Sequence, residues 1–461
     1  MGVEEEVSLY KKSEKIIPRT VSGVFANFRV TAVLVLMGWY YLFPWVNWGD
    51  RQAILLDMPN RKFYFFDVVI WPQDFFYLTL LLLISALALF FFTNLAGRLW
   101  CGYACPQTVW TEVSMWLERI TVGNRQKQLK LEKMPWNFEK ITRVSAKYLV
   151  WIVFSLWTGL TFVGWFSPIR ELTVDVFNFM ASETEVFWIL FYALATWGMA
   201  GFMREQVCFY MCPYARFQSA MFDSDTLIIS YDYNRGEPRA PLSKSEDNSD
   251  KGDCIDCDIC VQACPVGIDI RDGLQYECIA CSACIDACDE VMAKIGREKG
   301  LVRYTTEHAL ENKKTKIIRP RLVMYFIALL ASIVVFFVAL NSRMPIEMNI
   351  IRDRQGLFSI DSMDNVVNRY EIKLMNMDSK DHKFKFSVIS DTLPGVKTKF
   401  DFTNNLVVSG GATSFNLFLS VDYKLFKKHA VDVIFKLEAI DDPSLSVTEL
   451  SRFLGPGLKR R

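Results

Sequence analysis

Eight cysteines between residues 254 and 288 carry the strongest chemical signal in the chain. They form two Cys-x₂-Cys-x₂-Cys-x₃-Cys segments, the spacing of bacterial ferredoxins that hold two 4Fe–4S clusters, in which the fourth cysteine of each segment ligates the other cluster. Zinc would favour two separated Cys-x₂-Cys pairs with a loop of about 15 residues between them. The predicted ligands are Cys254, Cys257, Cys260 and Cys288 for one cluster, and Cys278, Cys281, Cys284 and Cys264 for the other.

The remaining four cysteines lie in a hexapeptide that occurs twice. Cys101 and Cys105 belong to CGYACP, and Cys208 and Cys212 belong to CFYMCP. If each hexapeptide is helical, its two sulfurs lie on one side, since residues i and i+4 share a helical face. The proline that ends each hexapeptide is expected to kink the helix and open space there. Thiolates select Cu(I), zinc or iron–sulfur, so the repeat predicts a metal site; packing of cysteine as a small apolar residue is the alternative.

Signatures of other redox cofactors are missing from the sequence. No Gly-x-Gly-x-x-Gly pattern follows a strand and no Cys-x-x-Cys-His occurs, so we predict neither a dinucleotide fold nor a c-type haem. The three histidines, His308, His382 and His429, lie outside the apolar segments, which excludes a bis-histidine haem in the membrane. Electrons must therefore enter from another protein or from a quinol.

Five apolar segments position these cysteines, and each is about as long as a bilayer-spanning helix of roughly 20 residues. They are Val30–Gly49, Phe75–Gly97, Tyr148–Ile169, Val186–Met203 and Leu322–Ser342. Lysine and arginine are concentrated before the first segment, in residues 98–147 and in residues 313–321. Because cytoplasmic loops carry an excess of these residues, we expect the N-terminus, both hexapeptides and the cluster segment on the cytoplasmic side, and the C-terminal part outside.

The segment after the first hexapeptide predicts an amphipathic helix at the membrane interface. Its apolar face comprises Val109, Val113, Trp116, Leu117 and Ile120. Glu112 and Glu118 argue against a sixth span, and Glu112 is expected either to face the thiols or to lie on a solvated flank.

Short strand-like runs predict a β-sandwich at the C-terminal end. They cover residues 369–376, 383–390, 413–422 and 431–439, with turn signals between them. The expected role of this outer domain is docking to an extracytoplasmic partner, with a passive cap as the alternative.

The predicted fold class is a multidomain membrane protein that combines an α-helical bundle of five transmembrane helices, a ferredoxin-like insert with two 4Fe–4S clusters and a C-terminal immunoglobulin-like β-sandwich. The formal net charge of +1 gives no reason to expect a nucleic-acid partner. The predicted boundaries are a cytoplasmic N-terminus (1–29), a transmembrane domain with four spans and both hexapeptides (30–225), a polar linker (226–253), the cytoplasmic dicluster domain (254–321), the fifth span (322–342) and the outer domain (343–461).

Four segments resemble the CcoG/FixG/RdxA family of cytochrome c oxidase accessory proteins, in the same order along nearly the whole chain. They are GRLWCGYACPQTVWTEV, ISYDYNRGEPR, CVQACPVGIDIRDGLQYECIACSACIDACD and NRYEIKLMN. The resemblance implies a multi-pass protein of the bacterial inner membrane with a periplasmic immunoglobulin-like domain. It also implies a cupric reductase that supplies Cu(I) while a cbb-type oxidase is assembled.

The resemblance further implies that the eight cysteines hold the clusters and that Cys101, Cys105, Cys208 and Cys212 form the copper-reducing site. The implied partners are copper ions, oxidase subunits or copper chaperones, the lipid bilayer and an unidentified electron donor; a homodimer is compatible with it. Two other interpretations stay open. The chain is similar to NapH and to the membrane part of NosR, which would make it a quinol dehydrogenase subunit, or it is a non-enzymatic assembly scaffold.

Overall fold

The computed structural model describes residues 15–241, 251–353, 356–378, 380–389, 397–400, 406–408, 411–423 and 429–456. Parts of the predicted N-terminus (1–14), linker (242–250) and outer domain lie outside the described residues. The helices are α1 (Val24–Leu42), α2 (Phe75–Ala96), α3 (Leu99–Tyr103), α4 (Pro106–Thr121), α5 (Arg125–Lys133), α6 (Phe138–Val163), α7 (Ile169–Phe177), α8 (Glu183–Thr196), α9 (Pro213–Ser219), α10 (Tyr233–Gly236), α11 (Ile259–Ala263), α12 (Ala283–Lys294), α13 (Glu307–Leu310) and α14 (Pro320–Asn341).

Two π-helical segments, Trp197–Met203 and Val207–Met211, follow α8. The strands are β1 (Asn47–Trp48), β2 (Arg51–Gln52), β3 (Ile54–Asp57), β4 (Lys62–Phe65), β5 (Val68–Ile70), β6 (Ile228–Tyr231), β7 (Val302–Thr305), β8 (Ile346–Arg352), β9 (Ser359–Ile360), β10 (Asn365–Asn376), β11 (His382–Ile389), β12 (Lys397–Phe400), β13 (Leu406–Val407), β14 (Ala412–Asp422), β15 (Ala430–Ala439) and β16 (Ser446–Leu454).

The five predicted membrane helices are confirmed: α1, α2, α6, α8 with the first π segment, and α14 are long and apolar enough to cross a bilayer. Four of them begin earlier than predicted, two of these by only two or three residues. Helix α1 begins at Val24 instead of Val30, and α6 begins at Phe138 instead of Tyr148. The start of α6 is fixed by a cap, since the Asn137 side chain accepts a hydrogen bond from the Lys140 backbone N–H at 2.8 Å. Arg29 of α1 and the charged residues from Glu139 to Lys147 of α6 concealed these helix starts from a hydropathy criterion.

The first of two compact units contains the residues up to Gln52 and Thr79–Val334. Within it, α4 packs against α1, α6 and the first π segment. Val109 of α4 is buried in one hydrophobic cluster with Val33 and Met37 of α1. Helix α4 therefore packs into the helical bundle, and its place at the membrane interface stays a prediction.

The dicluster domain belongs to the same unit and begins earlier in the chain than predicted. Strand β6, which falls in the predicted linker, pairs antiparallel with β7 after the cysteine segments, with Ile228 opposite Thr305 and Tyr231 opposite Val302. Helices α11 and α12 pack together, and α12 also contacts β7 of this strand pair. The strand pairing closes the domain by bringing its two ends together.

The second unit contains Ala53–Leu78 and the chain from Val335 onward. Two antiparallel sheets with the orders β12-β14-β10-β8 and β13-β11-β15-β16 enclose one core, which confirms the predicted immunoglobulin-like sandwich. Alternate residues of β10, such as Tyr370 and Ile372, are fully buried, as a half-buried strand requires. A three-stranded sheet of β3, β4 and β5 also belongs to this unit, and the sequence had given no strand prediction there.

Candidate functional site

The two cysteine segments of the dicluster domain share one local backbone shape. In each segment, the residues before and after the second cysteine have a left-handed backbone conformation although none is glycine. They are Asp256 (φ 52°), Asp258 (φ 55°), Ala280 (φ 54°) and Ser282 (φ 62°). A left-handed L-residue costs roughly 1–2 kcal/mol, so surrounding contacts must hold it. These four residues make each segment curve around a cavity instead of continuing as a helix.

A buried arginine holds the first segment in this shape. The guanidinium of Arg271, which is 8% exposed, donates to the carboxylates of Asp256 and Asp258 at 2.6 Å each. It also binds Asp269 on its own loop at 2.6 Å. One cation thereby ties together the two left-handed positions that flank Cys257, and charge-assisted bonds of this kind are among the stronger ones in proteins.

Each cysteine set surrounds its own cavity. One cavity is lined by the first predicted set: Cys254, Cys257, Cys260 and Cys288. A second cavity is lined by the other set together with Cys260: Cys264, Cys278, Cys281 and Cys284. Helix α12 supplies one cysteine to each cavity, since Cys284 and Cys288 are one turn apart. The structure thus brings together the same two groups of four that the spacing predicts.

The chemistry of both cavities suits iron–sulfur clusters. Burial raises the pKa of Cys260 to about 12 and that of Cys278 to about 11, so these thiols are protonated at neutral pH until a metal displaces the proton. Apolar side chains such as Val291 and Ile268 complete the linings and exclude water. The described side chains therefore fit two clusters, which when bound supply electrons one at a time.

The repeated hexapeptides differ from the helical pairs expected from the sequence. The chain leaves helix α3 after Tyr103, and Cys105 adopts an extended conformation (φ −62°, ψ 128°). Cys212 is likewise extended (φ −83°, ψ 108°) after the second π segment. The reason is the following proline, which disfavours helix in the residue before it and starts a new helix at its first position. Pro106 and Pro213 thus begin α4 and α9 rather than kinking a continuous helix.

The two hexapeptides are nevertheless neighbours. The thiol of Cys101 donates a hydrogen bond to Oε1 of Gln218 on α9 at 3.3 Å. Burial raises the pKa of Cys101 to about 12, with further contributions from the other three motif cysteines: Cys105, Cys208 and Cys212. The positive charge of the buried Arg98 guanidinium acts to lower the pKa of this thiol, and the same group donates a hydrogen bond to the Ala215 carbonyl. All four thiols therefore share one electrostatic environment.

The spacing of these side chains limits what each site can hold. Among the described residues, no three Cys, His, Asp or Glu side chains lie close enough to ligate a single metal ion. Cluster ligands bind separate irons of a larger core, so this spacing is compatible with the two cluster cavities. At the hexapeptides, by contrast, a copper ion bound by three or four sulfurs would require the thiols to move together.

The first hexapeptide lies directly on the second cysteine segment. A Cβ atom placed on Gly102 would be only 2.7 Å from the Ala280 carbonyl oxygen and 2.8 Å from that of Ile279. The Tyr103 hydroxyl is 3.0 Å from Oγ of Ser282. Cys101 packs in the same cluster of side chains as two ligands of the second cavity, Cys264 and Cys281. The motif thiols and the second cavity thus form one contiguous region.

Comparisons with known proteins agree with this architecture. Residues 203–307 match a family model described as a 4Fe–4S dicluster domain, residues 78–123 a 4Fe–4S binding domain, and residues 336–456 an IG-like fold at the C-terminus of FixG. RdxB of Cereibacter sphaeroides is 40% identical over 83% of this chain and 84% of its own length. The nitrogen fixation protein FixG of Rhizobium meliloti is 38% identical over 80% of this chain and 78% of its own length. RdxA of Cereibacter sphaeroides is 38% identical over 89% of each.

The chain belongs to the FixG/RdxA family. The resemblance seen in the sequence is thereby confirmed, and this FixG/RdxA protein is a membrane iron–sulfur protein of the electron-transfer type. Iron–sulfur clusters are confirmed as its cofactors at the level of the matched domains. The comparisons give no support for copper, which remains a prediction.

A buried ion network of this FixG/RdxA protein escaped the sequence analysis. Glu118 of α4 is 3% exposed and accepts hydrogen bonds from Lys15 at 2.6 Å and Arg204 at 2.5 Å. Lys147 of α6 lies 3.7 Å away. Burial raises the pKa of Glu118, but Arg204 and Lys15 lower it by more, so the carboxylate stays ionised. The network ties the turn before Cys208 to α4. From the sequence, Glu118 was used only to argue against a sixth span.

A second missed contact joins the dicluster domain to the first membrane helix. The carboxylate of Asp286, between Cys284 and Cys288, accepts hydrogen bonds from the backbone N–H groups of Phe25 and Ala26 at 3.3 and 2.6 Å. It thereby caps α1, whose first N–H groups have no partner within the helix. No local sequence signal identifies such a cap, because the capping side chain is about 260 residues away in the chain.

Proposed function

We propose that this chain reduces Cu(II) to Cu(I) at the motif cysteines with electrons from the two clusters, and that it does so during assembly of a cbb-type cytochrome c oxidase. The observation that supports this most directly is that Cys101 packs against the same hydrophobic cluster as Cys264 and Cys281. Together with the close approach of Gly102 to Ala280, it sets a soft-metal ligand beside the wall of the second cavity.

The residues of the site suit copper as a substrate. One electron converts Cu(II) to Cu(I), and two reduced clusters hold two electrons, enough for two ions. The thiols of Cys101 and Cys208 are protonated at neutral pH because burial raises their pKa values to about 12 and 11, so each thiol that binds copper releases one proton. The positive charge of Arg98 favours the thiolate at both positions and lowers the cost of that release. Copper would draw the thiols closer together than they are without it.

The assignment of ligands and sides of the membrane is part of the proposal. The eight cysteines of the two cavities hold the clusters, and the four motif cysteines hold copper. The protein lies in the bacterial inner membrane, with its N-terminus and dicluster domain in the cytoplasm and its sandwich in the periplasm. The Lys and Arg residues before α1 and between α2 and α6 support this orientation. The sandwich would dock oxidase subunits or copper chaperones.

A double substitution tests the copper site. Anaerobic protein whose clusters have been reduced with dithionite, and freed of excess reductant, is mixed with Cu(II) and a Cu(I) chelator. We expect Cys101→Ala with Cys208→Ala to slow Cu(I) formation at least about tenfold while iron per chain stays unchanged. Phe217→Leu, on α9 after the second motif and 59% exposed, serves as the matched control and should react like the parent. Equal rates for all three proteins would rule out the site.

A second candidate rests on the 4Fe–4S binding model that matches residues 78–123. That segment contains two cysteines, Cys101 and Cys105, so the match favours an iron–sulfur centre shared by the motif cysteines. The chain would then pass electrons through three centres to a partner protein, as a subunit similar to NapH. Iron analysis separates the candidates, because two clusters give about eight iron atoms per chain and three give about twelve.

A further inference from the structure

A half-open cavity of about 130 Å³ lies between the start of α1, helix α4 and the dicluster domain. Ile279, Cys281 and Ala283 line both this cavity and the second cluster cavity. Cys208 of the second motif lines it as well. A molecule in this cavity would contact the wall of a cluster site and one of the motif cysteines.

The lining is amphipathic. Apolar side chains such as Val30, Met115 and Trp116 form much of the wall. Thr111 adds a hydroxyl, and Glu205 adds a half-buried carboxylate that has no ion pair with any described residue. Such a wall suits a mostly apolar ligand with one or two hydrogen-bonding groups.

The hydrogen bonds that the lining arginines already make disfavour a phosphate-bearing ligand. Three of the four arginines in the lining already have partners. Arg119 binds Glu112 at 3.1 Å, Arg204 binds Glu118, and Arg29 donates to the Cys281 carbonyl at 2.6 Å. A nucleotide or flavin phosphate would need free cations in a forked or paired arrangement, which these pairs do not offer.

The cavity is also adjacent to the membrane. Arg29 and Val30 of its wall belong to α1, which is long and apolar enough to span a bilayer. One turn further along the same helix, Leu34 and Val35 are 60% and 64% exposed, as expected for side chains that face lipid. A ligand with an apolar tail could therefore enter from the lipid along α1 and reach the cluster wall with its ring.

We propose that this cavity binds a membrane quinol, which is the electron donor of the clusters. Oxidation of one quinol to the quinone releases two electrons and two protons. One electron goes to each cluster, and the protons leave to water through the open side of the cavity. Glu205 and Thr111 are placed to accept hydrogen bonds from the ring hydroxyls. The inference rests on the proposed function only in that the clusters carry electrons, and it does not depend on copper.

The test uses the full chain with its clusters in lipid nanodiscs. Binding of the quinol analogue 2-heptyl-4-hydroxyquinoline N-oxide is measured by calorimetry, and the paramagnetic resonance spectrum of the dithionite-reduced clusters is recorded with and without it. Thr111→Trp fills the cavity from α4, and Ile120→Trp on the same helix, 80% exposed, is its control. Val30→Trp with Leu34→Trp as control repeats the comparison on α1 in case the first variant folds poorly.

We expect each filling variant to bind the analogue at least about tenfold more weakly than its control. The analogue should shift the cluster spectrum of the parent and of both controls. Menadiol, added without copper under anaerobic conditions, should bleach the cluster absorbance of the same three proteins but not of the filled ones. Equal binding by filled and control variants, or no binding by the parent, overturns the proposal.

The outcomes also separate this inference from copper reduction. If the filled variants, with clusters reduced by dithionite, still reduce Cu(II) at the parental rate, only the donor step has been blocked. If the parent binds the analogue and is reduced by menadiol but does not reduce Cu(II), the quinol site stands and the copper function falls.

Discussion

Replacing Gly102 with alanine tests the close approach of the first hexapeptide to the second cysteine segment. The added methyl carbon would lie 2.7 Å from the Ala280 carbonyl oxygen, whereas ordinary contact begins at about 3.4 Å, so the two backbones must separate by about 0.7 Å. Because both partners are backbone atoms, no side chain can rotate away. Overpacking of this kind costs about 1–3 kcal/mol. The docked arrangement should therefore open roughly 5- to 150-fold more often.

Hydrogen–deuterium exchange of the intact, cluster-loaded protein measures that opening. We expect faster exchange in peptides that cover residues 278–284 of the Gly102→Ala variant, by up to the factor given above. Gly198→Ala is the matched control, since a Cβ on Gly198 meets nothing within 4 Å. If Gly102→Ala exchanges at the rate of the control, the two segments do not pack as described and the contiguity of thiols and cluster wall is refuted.

Two further predictions concern buried charges. Glu118→Gln leaves the buried guanidinium of Arg204 without its counter-charge and should destabilise the protein by about 3–5 kcal/mol. The control, Glu139→Gln, removes an exposed ion pair with Arg143 and should cost about 0.5 kcal/mol. Denaturant unfolding in detergent measures both losses of stability. In the sandwich, burial lowers the pKa of His382, but the hydrogen bonds that its ring donates to the carboxylates of Asp378 and Asp441 raise it by more. A ¹³C-histidine titration should therefore give a midpoint above the ordinary value of about 6.5, and Asp378→Asn should lower it.

The sign of the His382 effect follows from its raised pKa. Protonated His382 stabilises the fold below a pH of about 6.5, and this contribution is lost as the pH rises through its folded-state pKa. A His382 midpoint at or below the ordinary value of about 6.5 would contradict the hydrogen bonds of its ring to Asp378 and Asp441. For the ion network, equal losses of stability in the two glutamine variants would show that Glu118 is not the buried centre of that network.

The sequence was most informative where one spacing has one structural meaning. The cysteine spacing predicted which four cysteines surround each cavity, because one helical turn separates Cys284 from Cys288 and sends them to different sites. The membrane helices followed from their length and hydropathy. In the outer domain, alternation predicted β10 and β15 within a few residues, since one face of each strand is buried.

The sequence was least informative where long-range contacts decide the conformation. Periodicity suggested that Cys101 and Cys105 share a helical face, but the proline after Cys105 starts a new helix and leaves Cys105 in an extended conformation. Glu118 was taken only as evidence against a sixth span, because the three cations that surround it come from distant parts of the chain. Residue type alone does not distinguish a buried carboxylate from an exposed one.

The central claim is that copper is bound by motif sulfurs beside the clusters. Copper X-ray absorption on anaerobic Cu(I)-loaded protein tests it most directly, with the iron content of the same sample measured in parallel. The account predicts about eight iron atoms per chain and a copper shell of two or more sulfurs, lost in Cys101→Ala with Cys208→Ala. A shell of nitrogen and oxygen alone, or about twelve iron atoms with no bound copper, would contradict it.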